Sequence, residues 1–264
     1  MMVSIFSMIL IVVDMILGIG IPVGAIVFLK KKYKVSVKGF FVGCAVMLLF
    51  ALTLEQIVHT VVLGSPAGTT IQENIFLYAI YGGLMAGLFE ETGRFLAMRY
   101  VMKREHADAH NALMYGAGHG GFEMFLILTI GMINNLLYSV MINSGQTELL
   151  LAPLDEANRG ILQSAFDALI QTPSWQFLIS PVERMAAFTA QIGFSVIVWA
   201  AVTGSRSHRY LLLVAILLHA VLDAAAVFAA GVGLHLVLVE VTVWAIVIGI
   251  VFAARKIGNC KDAE

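Results

Sequence analysis

Long apolar runs separated by short polar stretches leave this chain few ways to fold. Runs at 3–29, 39–63, 75–101, 110–137, 176–203, 210–231 and 235–254 each reach the ~20 residues that a helix needs to cross a ~30 Å hydrocarbon core. The sequence is 60% hydrophobic and 12% charged, with a mean hydropathy of +0.91, too apolar for a surface that faces water. In lipid the backbone must satisfy its own hydrogen bonds, which leaves helices or a closed barrel. The runs are too long and too continuous for the alternating strands of a barrel. The expected fold is an all-α integral membrane protein of about seven transmembrane helices in one bundle, with residues 1–264 forming a single polytopic membrane domain.

The charges between the runs give an orientation. Lys30, Lys31, Lys32, Lys34 and Lys38 follow the first run, Lys103 and Arg104 the third, Arg206 and Arg209 the fifth, and Arg255, Lys256 and Lys261 the seventh. All fall on one side, so the positive-inside rule puts the C-terminus in the cytoplasm and the N-terminus outside. The first run lacks a basic leader and a small-residue cleavage site and is too long for a signal peptide, so it is expected to stay as a span. Outside lie a short loop at 64–70 and a longer one at 138–174. In the longer loop Asp155 follows Pro153, and Ile161, Ala165, Leu169 and Leu162, Phe166, Ile170 recur at helical spacing until Pro173. That pattern predicts an amphipathic helix on the outer interface. A net charge of -1 offers no basic surface for nucleic acid. Cys44 and Cys260 lie in environments too different for a disulfide or a thiolate metal site.

Ionisable groups inside the runs carry the functional signal, since each costs about 2.5–3.5 kcal/mol at the bilayer centre. Glu90, Glu91 and Arg94 stand in FEETGRF, His119 and Glu123 in GHGGFE, and His219 and Asp223 in LLHAVLDA. Each histidine and its acid are four residues apart, one above the other on a helix face. At ~1.5 Å per residue, Glu91 lies about 12 Å from Arg99, His119 about 13–14 Å from His110, and His219 about 15 Å from Arg209. Three helices thus bring polar groups to one level, nearer the cytoplasm than the outside. Such a cluster can activate water through carboxylate and imidazole. Alternatively, two imidazoles and a carboxylate, with His119, Glu123, His219 and Asp223 as the possible ligands, can hold a zinc ion with one position open. The residues leave both chemistries open, so the expected cofactor is zinc or none. Arg94 reads as support, pairing with Glu90 one turn away. Gly116, Gly118, Gly120 and Gly121 allow either close helix packing or the approach of a substrate backbone.

Other polar positions read differently. Glu55 and His59 count to about 26 and 32 Å from Lys38, as an interfacial pair or the lining of an outer substrate entrance. Glu183, Arg184 and Gln191 read as packing or substrate contacts.

At the three motifs the sequence resembles the YhfC family of intramembrane peptidases, related to PrsW and more distantly to the CAAX-protease and bacteriocin-processing family. The likeness runs from the second span to the sixth. Glu90, Glu91 and Arg94 are similar to the first motif of PrsW-like proteins, two glutamates and then a basic residue at this spacing; CAAX-type enzymes place the arginine one residue later. Glu123 matches the end of the second motif, an acid in PrsW-like and a histidine in CAAX-type members, and His119 stands where phenylalanine is usual. His219 and Asp223 match the third motif. The resemblance implies a glutamate-dependent protease of the cell membrane, in which a motif-one glutamate activates water and third-motif residues stabilise the oxyanion. With Glu123 in place of a histidine, His119 or His219 takes that histidine's part. The implied partners are the lipid bilayer and a membrane-protein or lipid-proximal peptide substrate. Two other classes compete: a proton-coupled transporter, although paired broken helices and related halves are missing, and a non-catalytic scaffold or immunity protein.

Overall fold

The computed structural model describes residues 2–261; Met1, residues 262–264 and the side chains of 259–261, Cys260 and Lys261 among them, lie outside the described set. Every long element among the described residues is a helix: α1 (Ile5–Tyr33), α2 (Lys38–Leu63), α3 (Pro66–Glu73), α4 (75–101), α5 (His110–Asn143), α6 (Glu148–Leu151), α7 (Glu156–Gln171), α8 (Ser174–Thr203), α9 (Arg206–Gly231) and α10 (Leu236–Lys261). Six of them, α1, α2, α5, α8, α9 and α10, are long and apolar enough to cross a membrane. The expected third span is present as the continuous helix α4, but Glu90, Glu91, Arg94 and Arg99 interrupt its apolar run and it falls outside those six.

Local chemistry sets the helix ends. Asn74 starts α4, its side-chain oxygen accepting from the amides of Phe76 and Leu77 at 3.0 and 3.2 Å. Most of the expected loop at 64–70 is the start of α3, because Ser65 caps it at the Gly68 amide and Pro66 occupies its first position, where a missing N–H costs nothing. The expected loop from 138 begins only after Asn143, to which α5 continues. Gly233, at φ +78° just after α9, adopts the left-handed conformation that ends the helix.

The chain divides into two compact units. The first comprises Met1–Val23 and Met124–Met185. Here α7 forms where the periodicity predicts it, with Asp155 as its cap: the carboxylate accepts from the Asn158 amide at 2.9 Å, which holds the Asp155 carboxyl below its ordinary range. Phe166 and Leu169 are buried, with Phe166 edge-on to Tyr138, whereas Ile161 faces outward. Asp14 is also buried in this unit, and its Oδ2 has no hydrogen-bond partner.

The second unit comprises Gly24–Glu123 and Ala186–Glu264. Its helices meet at glycines. A Cβ on Gly83 would strike the Ala220 carbonyl oxygen, and one on Gly87 would lie 2.5 Å from that of Ile216, so α4 and α9 run antiparallel with their backbones in near contact. On α5, Gly118 faces the Phe40 carbonyl of α2, while Gly116 and Gly120 face Ile192 and Gln191 of α8. Three of the four glycines around His119 therefore serve helix packing. At the expected cytoplasmic end Lys38 donates to the Val101 carbonyl at 2.9 Å and pairs with Glu105 at 3.1 Å, tying the start of α2 to the end of α4.

Candidate active site

The close contacts of α4 with α9, and of α5 with α2 and α8, gather the motif residues around one small cavity in the second unit. Glu90, Glu123, His219 and Asp223 line it together with Gln191, Met47, Phe194, Leu222 and two alanines, and its volume is about 80 Å³. Glu91, Arg94 and His119 are fully buried behind this wall. The motif residues thus form two layers, and two of the cavity-facing groups, Glu90 and His219, are held from the layer behind by His119 and Glu91.

Glu90 is held from two other helices, α5 and α8. Its Oε2 takes hydrogen bonds from His119 Nε2 and Gln191 Nε2, both at 2.9 Å. Its neighbour Glu91 turns about 100° around the helix, away from the cavity, and its Oε1 meets His219 Nδ1 at 2.8 Å. That bond places the His219 proton on Nδ1 and leaves Nε2 facing Asp223 Oδ2 at 3.5 Å and Glu90 Oε2 at 4.0 Å. The imidazole is clamped flat against Phe194, ring centroids 4.6 Å apart and planes 13° from parallel.

Arg94 does not take the partner expected for it. Its Nε lies 3.5 Å from Glu91 Oε2, and its terminal nitrogens donate to the backbone carbonyl and side-chain oxygen of Gln191. The guanidinium sits between the rings of Tyr115 and Phe194, each centroid 5.9 Å away. Because arginine only donates, it fixes the Gln191 amide with its oxygen toward Arg94 and its nitrogen toward Glu90 and, at 3.5 Å, Glu123. Sequence reasoning left Gln191 among packing or substrate contacts. The signal was a lone amide inside the apolar stretch AAFTAQIGF.

Zinc was one expectation for the cofactor. Among the described residues no three His, Cys, Asp or Glu side chains are gathered as a metal site. The donor chemistry nevertheless fits zinc: His219 Nε2, on a ring fixed through its other nitrogen by a carboxylate, faces Glu90 and Asp223 across the cavity that Glu123 also lines. His119 departs from the expected ligand set, since its Nε2 is engaged with Glu90 and its Nδ1 is buried without a hydrogen-bond partner.

Residues 16–243 match the sequence profile of a family described as YhfC intramembrane metalloprotease. The chain belongs to the YhfC family. A YhfC relative from Bacillus subtilis (strain 168), named as an uncharacterized membrane protein, is 41% identical over 225 residues, covering 84% of this chain and 85% of its own length. No solved structure matches. With six membrane-length apolar helices and a membrane protein as relative, this YhfC-family chain is a multi-pass membrane protein, and every motif residue from Glu90 to Asp223 lies within the matched stretch.

Proposed function

We propose that this protein is an intramembrane peptidase that hydrolyses a peptide bond in or beside a transmembrane segment, with Glu90 as the carboxylate that activates water. The observation that carries this reading is the position of Glu90. Of the two adjacent glutamates it alone lines the cavity, and two donors hold one of its oxygens. The family description supports the reaction class.

In this reading Glu90 takes a proton from water as the water oxygen attacks the scissile carbonyl, then passes that proton to the leaving nitrogen. His119 and Gln191 fix the rotamer of Glu90. Gln191 Nε2, an amide donor on the cavity wall, is available for the negative charge that develops on the carbonyl oxygen. The zinc implied by the family description would be held by His219, Glu123 and Asp223, and when bound it would acidify water and polarise the carbonyl. His119 supports Glu90 and is not assigned to the metal.

The test compares new protein N-termini in membranes from cells producing the wild type and Glu90→Gln at equal abundance. Termini in or next to membrane spans are expected in the wild type and absent from the variant. Identical termini in both would rule out this function and favour a transporter or scaffold. Zinc analysis of the purified proteins should find metal with the wild type and much less with His219→Ala.

A further inference from the structure

Beyond the cavity, α2 carries a second buried polar cluster with no part in the roles above. Glu55 is 6% exposed although it lies within a membrane-length helix. Its Oε1 meets His59 Nε2 at 3.1 Å, and His59 Nδ1 meets the Tyr81 hydroxyl of α4 at 2.9 Å. Burial falls outward along this chain, from Glu55 to the half-buried His59 and Tyr81.

The inner end points toward the cavity. From Met47 to Glu55 the backbone of α2 winds in wide π turns, which bring Met47, Ala51 and Glu55 onto one buried face. Met47 is part of the cavity wall. Glu55 therefore continues that wall outward, with only the small Ala51 between, and it lies within electrostatic reach of Glu90, His219 and Asp223. An isolated carboxyl buried at this depth is expensive unless it has a task or a partner. Here its partner is an imidazole, which can accept a proton at one nitrogen and release one from the other.

We propose that Glu55 and His59, with Tyr81 at the outer end, form a proton path between the cavity and the solvent beyond the outer part of α2. The proposal rests on the hydrolytic reading above. Hydrolysis leaves a new carboxylic acid in a low-dielectric cavity, and that acid must shed its proton before it departs as a carboxylate. One proton passes from the product acid to Glu55 by way of intervening water. Glu55 hands it to His59 Nε2, and Nδ1 releases one proton to solvent beside Tyr81. One proton enters the chain and one leaves per turnover, and no electrons move. Glu55 and His59 touch neither the scissile bond nor the cavity acids, so they act on the reset of the site and not on bond cleavage.

The experiment uses the full-length protein in liposomes and a client peptide spanning a cleavage site found by the terminus survey. Rates are read for the first and for later turnovers. Glu55→Gln keeps an acceptor for His59 but cannot carry a proton. It should cleave the first peptide at the wild-type rate, then slow by about tenfold or more, with kcat/KM unchanged and the later turnovers restored by added imidazole or acetate. Tyr81→Phe removes only the outer hydroxyl and should show a milder form of the same split. Equal loss of first and later turnovers without rescue, or wild-type rates throughout, overturns the proposal. Glu90→Gln is run alongside: if it still cleaves, the hydrolytic reading fails and the proton path falls with it, whereas silence in Glu90→Gln with full activity in Glu55→Gln removes the path alone.

Discussion

Glu90 and Glu91 are adjacent in sequence, yet the structure gives them opposite surroundings. One lines the cavity with His119 and Gln191 behind it; the other is sealed between His219 and Arg94. Their substitutions should therefore differ. Glu91→Gln retains an oxygen for the His219 Nδ1 proton and should cost about 10–100-fold in cleavage, the usual penalty for disturbing a supporting partner. Glu90→Gln removes the base itself and should cost about 10²–10⁴-fold. Equal rates for the two variants in the peptide assay would reverse the assignment or merge the roles. The sequence could show that both glutamates were deep; it could not show which faced inward, because the rotation of α4 is set by contact with α9. A search for buried charge also passes over a neutral amide, so it undervalued Gln191. It missed Asp14 because a lone acid in an apolar run has no spacing partner to mark it.

At the scale of helices, apolar length was easy to read and the contacts between helices were not. The cap at Asp155 and the phase of α7 followed from local pattern, except that Ile161 faces outward and not into the packed side. The glycines around His119 were ambiguous because both readings require the same absence of a side chain. Their neighbours resolve three of them: Gly118 meets the Phe40 carbonyl, and Gly116 and Gly120 meet α8. Gly118→Ala would force a methyl group onto a backbone oxygen and should destabilise the fold by about 1–3 kcal/mol. Gly24→Ala, where a Cβ would meet nothing within 4 Å, should be neutral or stabilise by about 0.5–1 kcal/mol. Thermal midpoints of the two variants in detergent should move apart accordingly; no loss in Gly118→Ala would mean that α2 and α5 are looser than the structure has them.

For the molecule as a whole the sidedness of the termini follows from α4. An odd number of crossings puts the two termini on opposite sides of the membrane, and an even number puts them on the same side. Reporter domains that work on only one side, fused in turn to each terminus, should report opposite sides if α4 crosses with the six more apolar helices. Matching sides would place α4 in a re-entrant position. The sequence reading counted α4 as a span by length alone, although its buried acids and arginine lower its apolar character below that of its neighbours.

Those same acids bear on how the protein is made. Glu91 finds His219 only on α9, and Glu90 finds Gln191 only on α8. When α4 leaves the ribosome neither partner exists, and its Gly83–Gly87 face has nothing to pack against. Synthesis from residue 101 to residue 231 takes on the order of ten seconds at ~5–20 residues per second. During that interval Glu90 and Glu91 lack the partners that α8 and α9 will bring, and α4 can take its final place only once α9 has emerged to receive it.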